Sequence, residues 1–136
     1  MAKERLFDKA GLHFANGFHA AAAAGASTLA SAVWKAPCAC KVEAVYVHPD
    51  VAITGDNTNH LLLETLNGGA AGAGTTAIGS KDFVTNTNVA ALAAINLSPT
   101  TPVAFAEGDV LLMKRTLAAS GLALGACYIQ IQFRPT

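Results

Sequence analysis

At 136 residues, with nine Lys and Arg against nine Asp and Glu, the chain has one domain's length and no net charge. It is 52% hydrophobic but only 13% charged, against about 25% charged in an average soluble domain. That balance excludes the basic stripe that neutralises phosphates, so no nucleic acid partner is expected, and weak self-repulsion favours contact with other protein surfaces.

Alanine supplies about a fifth of the chain, so the larger apolar residues must carry most of the burial free energy, at about 25 cal/mol per Å². The start, Met1 to Lys9, mixes charges and offers no apolar core of a signal peptide. Ala20 to Ala24 is too short to cross a bilayer, and no membrane contact is expected. Three cysteines, an odd number, argue against a secreted disulfide framework.

Residues 1–27 differ from the remainder. Five of the charges fall within the first nine positions, and Phe7, Phe14 and Phe18 are widely spaced apolar anchors. The segment reads as an extended arm that orders on a neighbour, with Arg5 and Lys9 as rim charges around the three rings. A first strand of the same domain is the open alternative.

From Thr28 a period of two sets in, the grammar of a strand with unlike faces. Thr28 to Lys35 puts Leu29, Ser31 and Val33 on one side and Trp34, read as a core residue, on the other. Pro37 stops it. Lys41 to His48 has two mixed faces, which predicts a strand inside a sandwich. Residues 51–59 read as a loop around Gly55-Asp56-Asn57, and His60 to Leu66 as the next strand. A glycine loop from Asn67 to Gly74 leads to a shorter strand, Thr75 to Ser80. Residues 82–88 are read as loop, and Val89 to Leu97 fits either a helical turn or a strand. After the break at Ser98 to Pro102 come Val103 to Phe105, Val110 to Thr116 and a final strand ending at Phe133. In that last strand Cys127, Ile129, Ile131 and Phe133 oppose Tyr128, Gln130, Gln132 and Arg134. Seven or eight short strands with turn chemistry between them predict an all-β antiparallel sandwich, immunoglobulin-like or jelly-roll-like, over residues 28–136.

No set of residues converges on catalysis. The Gly68 to Gly74 loop lacks the Lys-Ser/Thr that completes a phosphate cradle. Cys38, Cys40, His48 and His60 could be drawn as a zinc site, yet Cys-x-Cys on an extended chain sets the two α-carbons about 7 Å apart. His48 and His60 flank one loop and could approach each other. Asp50, Asp56, Asn57 and Asn59 offer calcium-type oxygens, but turn capping explains them more simply. Glu107 and Asp109 bracket a glycine and read as a turn rather than a carboxylate pair. Neither metal nor cofactor is expected, and enzymatic activity is not.

Four segments carry a family likeness: Cys38 to Asp50, Ile53 to His60, Asn67 to Thr75 and Val103 to Leu111. In order and spacing the chain resembles the small head proteins of tailed bacteriophages, the capsid cement or decoration proteins with a jelly-roll-like sandwich. The resemblance implies attachment to the major capsid protein on the outside of the virion shell and self-association as a homodimer or homotrimer at symmetry axes. It also implies synthesis in the host cytoplasm and no active site. The segment before residue 28 has no counterpart in it. A receptor- or carbohydrate-binding sandwich of a phage tail or fibre is the second expectation, and it requires exposed aromatic residues on a concave face.

Overall fold

The computed structural model describes residues 11–26 and 28–136. They form nine strands and no helix: β1 His13–His19, β2 Leu29–Lys35, β3 Cys40–Pro49, β4 Leu61–Asn67, β5 Thr76–Asp82, β6 Ile95–Asn96, β7 Val103–Phe105, β8 Val110–Leu117 and β9 Cys127–Pro135. One sheet runs β1-β9-β3-β6, with β7 also on β3, and the other runs β2-β8-β4-β5. All pairings are antiparallel.

The pairs are nested. β1 lies against β9, β2 against β8, β3 against β6 and β7, and the β4–β5 hairpin closes the series. A folded-over ribbon of this kind, split between two facing sheets, is the jelly roll. β6 and β7 occupy one edge of β3 end to end, at Tyr46–Val47 and Cys40–Val42. The proline-bearing segment 98–102 interrupts them. Ser98 fills the gap: its Oγ accepts from the Val45 N–H at 3.0 Å, while the Leu97 N–H donates to the Val45 carbonyl at 2.9 Å.

The two inner faces meet over a core in which Val42, Val45, Val47, Leu61, Leu63, Leu111, Met113, Ile129, Ile131 and Phe133 are fully enclosed. Thr65 is buried among them, and its hydroxyl donates to the Leu97 carbonyl at 3.0 Å, so the polar atom is satisfied.

Several expectations change. The stretch read as an extended arm contains a strand of the sandwich: β1 pairs with β9 from His13↔Phe133 to His19↔Cys127. The sandwich therefore begins before residue 28. Arg5, Phe7 and Lys9 lie outside the described residues. Of the ambiguous segment 89–97, only Ile95–Asn96 is a strand, and Val89 makes a single bridge to Ile53.

Two bulges explain the mixed faces read from the sequence. One, between Val42 and Ala44, keeps Val42 inward with Val45 and Val47 while turning Ala44, Tyr46 and His48 outward. The other, between Ala32 and Trp34, brings Val33 and Trp34 to the core together. Trp34 packs 5.0 Å from Phe133 and 5.9 Å from Phe105, centroid to centroid, so its core assignment stands.

Candidate interaction surface

The outer face of the β1-β9-β3 sheet follows from the period of two. On β1 the even positions Phe14, Asn16 and Phe18 point away from the core, as Leu12 does just ahead of the strand, and on β9 so do Tyr128, Gln130, Gln132 and Arg134. Register sets them in rows. Phe18 faces Tyr128, which faces His48; Asn16 faces Gln130, which faces Tyr46; Phe14 faces Gln132, which faces Ala44. Phe14 and Phe18 remain 68% and 64% exposed and Tyr128 45%, values that an isolated sheet face gains nothing from.

Polar contacts hold this face in shape. The Tyr128 hydroxyl donates to Asn16 Oδ1 at 2.6 Å. His48 Nδ1 lies 3.1 Å from the Leu92 carbonyl and Nε2 lies 3.2 Å from Gln130 Oε1. Its ring leans on Tyr128 at 6.1 Å. Leu92 reaches this position in a left-handed backbone conformation, φ 64°, and stays largely exposed. Together Phe18, Tyr128, His48, Leu92, Gln130 and Asp50 border a shallow groove of about 500 Å³, within the size of small-ligand clefts. At the far end of the face the Arg134 Nε–H donates to Glu43 Oε1 at 2.9 Å.

Between the sheets, His19 closes the β1 end of the core. It is 1% exposed, and its Nδ1 meets Ser31 Oγ at 2.5 Å. Burial, then the positive charge of Arg115, hold the imidazole below its usual pKa. The native state therefore keeps His19 neutral, while the unfolded chain takes up a proton below about pH 6.5. The linked stability is fully present above that pH and is lost as pH falls toward the folded pKa. Urea midpoints measured at pH 7.5 and 5.5 are expected to drop more for the wild type than for His19→Gln. Parallel drops would remove His19 from the account.

The remaining candidates resolve structurally. His48 and His60 do not meet: His48 lies on the outer face of the first sheet, whereas the His60 Nδ1 pairs with Asp82 Oδ1 at 2.6 Å beside the second. No three His, Cys, Asp or Glu side chains cluster for a metal ion among the described residues. Asp56 Oδ1 accepts from the N–H groups of Asn59 and Thr58 at 2.6 and 2.7 Å, which lowers its pKa and makes it a turn cap. Asp109 Oδ2 accepts from the Ala106 N–H at 2.9 Å around Gly108, at φ 88°, as a turn requires. The glycine loop is the β4–β5 hairpin connection, where Asn67 Oδ1 takes the Gly69 N–H at 2.8 Å. Burial pushes the thiols of Cys127 and Cys40 up to about 12 and about 11, so neither is a ready nucleophile at neutral pH.

Sequence reasoning chose Phe14 and Phe18 and placed Tyr128 and Gln130 on the wet face. It missed His48, Leu92 and Asp50 as their neighbours. The β3 alternation carried a signal for His48, but only the β3–β9 register sets it beside Tyr128.

The class these observations define is a jelly-roll domain with a neutral, ring-bearing outer sheet face. No family model matches the chain, and no curated protein matches it. Among solved structures, a chain in the "Structure of infectious bursal disease virus Gx strain" is similar, with a TM-score of 0.40 and 8% identity. The likeness covers 93% of this chain and 32% of that one, so this chain spans about a third of its length. The fold assignment rests on the strand order and register.

Proposed function

We propose that this chain is a structural virion protein that binds the outer surface of a phage capsid shell and cements neighbouring major capsid subunits. The carrying observation is the outer face of β1 and β9, where Phe14, Phe18 and Tyr128 stand exposed on strands without Lys, Asp or Glu. Covering such rings recovers about 25 cal/mol per Å², and a modest contact per copy becomes strong when a symmetric shell repeats it. The order and spacing of the four segments that resemble phage head proteins fit the same reading. Arg5, Phe7 and Lys9, ahead of β1 in the chain, are proposed to extend the contact.

Shells mixed with the protein and pelleted provide the test. Phe14→Ser/Phe18→Ser is expected to lose co-sedimentation and protection against heating while keeping its own melting temperature, since both rings are exposed. Undiminished protection by that variant would overturn the proposal. A chain beginning at residue 11 keeps β1 and is expected to bind shells more weakly.

One observation favours a second reading, a carbohydrate-binding module: rings, an amide and the Asp50 carboxylate share one groove. Saccharide titrations followed by shifts of the Tyr128 and Gln130 amide resonances would separate the two. Saturable shifts that Tyr128→Ala abolishes would favour this second reading.

A further inference from the structure

Four edges end the two sheets, and three carry devices that discourage pairing. β2 has a bulge and Lys35, β5 has Lys81 and Asp82, and β6 and β7 are two and three residues long. β1 has none of these. It is seven residues long, pairs with β9 without a register shift, and contains no Lys, Arg, Asp, Glu or Pro. No described strand lies on its other side. A long, uncharged edge with outward rings is a template for another chain.

The sequence of β1 says which chain. His13-Phe14-Ala15-Asn16-Gly17-Phe18-His19 reads nearly the same in both directions about Asn16. Antiparallel pairing of two identical strands about a two-fold axis sets residue 16 − n against residue 16 + n, so a near-palindrome meets its own likeness at every step. We propose that β1 is a self-association edge, pairing antiparallel with β1 of a second copy about a two-fold axis at Asn16.

In that arrangement both outer faces lie on the same side of one continuous sheet. Phe14 comes to lie beside the partner's Phe18, and each Phe18 already faces Tyr128 of its own chain. Aromatic cross-strand pairs of this kind stabilise a sheet. Asn16 meets its equivalent at the axis, with its Oδ1 already taken by the Tyr128 hydroxyl and its amide N–H groups left to donate. On the inner side the small Ala15 and Gly17 oppose each other. The inference deepens the shell-binding proposal, since the pair doubles the ring-bearing platform, but it is testable on the purified chain without any shell.

Sedimentation equilibrium on the full chain at roughly 100 μM, above the micromolar range of small interfaces, is expected to give twice the chain's mass. Phe14→Lys/Phe18→Lys places like charges together twice across the axis and is expected to halve that mass. Phe14→Lys/Phe18→Glu places opposite charges together in the same register and is expected to restore it. Asn16→Cys, oxidised, is expected to cross-link two copies, because paired strands hold α-carbons within disulfide reach. A monomeric or trimeric wild type would overturn the inference. So would a lysine double variant that stays dimeric, or a failure of Asn16→Cys to cross-link. Circular dichroism of each variant confirms its strands, and both phenylalanines are exposed, so loss of the dimer does not reduce to loss of the fold.

Discussion

Phe133→Ala is expected to remove about 3–5 kcal/mol of folding stability, the range for deleting a fully enclosed aromatic side chain. Phe133 is completely buried on β9, with the Trp34 ring 5.0 Å away and the His13 ring stacked at 5.6 Å. It therefore joins both sheets at the end of the sandwich where Trp34 crosses toward Phe105. Shortening it opens a cavity that Trp34 cannot fill, because the bulge beside Val33 fixes where the indole emerges. Against a typical total of about 5–15 kcal/mol, the melting temperature should fall by roughly 10 °C or more. Tyr128→Ala, five residues earlier on the opposite face, is expected to cost about 1 kcal/mol or less. Urea denaturation of the two variants reads the alternation of β9 directly, and equal losses would contradict the inward and outward assignment.

Gly17→Ala is expected to destabilise by about 1–3 kcal/mol, as overpacking does. A β-carbon on Gly17 would stand 2.4 Å from the Val33 carbonyl oxygen and 3.1 Å from the Val33 β-carbon. Backbone, not a flexible side-chain tip, occupies that space, so β1 must lift away from β2. The bond between His19 and Ser31 lies two residues further along and would loosen with it. Hydrogen exchange should then quicken at the β9 amides facing β1, while β4 and β8 keep their protection. Asn16→Ala, one residue away and outward, serves as the control and is expected to change stability by less than about 1 kcal/mol. An unperturbed Gly17→Ala would mean that β1 does not approach β2 this closely.

The contrast between β1 and β9 shows what the chain's own pattern could carry. In β9 large apolar residues alternate with polar ones, so one face is unmistakably wet. In β1 the order is reversed in character: the rings Phe14 and Phe18 point out, and the inward positions are His13, Ala15, Gly17 and His19. Inward glycine exists because of the Val33 backbone, and inward histidine because of Ser31, partners more than ten residues away. Local reading therefore made the rings anchors of an arm and was blind to the strand that carries Phe14 and Phe18. β3 posed a milder form of the same problem, since a single extra residue at its bulge shifts the phase of every side chain before it.

Length, composition, turn chemistry and alternation determined by themselves that this protein is an antiparallel β-sandwich with one domain's worth of core. They also singled out Phe14 and Phe18, which the structure leaves exposed. Only the tertiary structure decided that β1 belongs to the sheet, that His48 and Asp50 border the Phe18–Tyr128 row, and that β1 ends its sheet with no described strand on its other side. The reason is physical: alternation is a property of one strand, whereas register, bulges and edges exist only between strands.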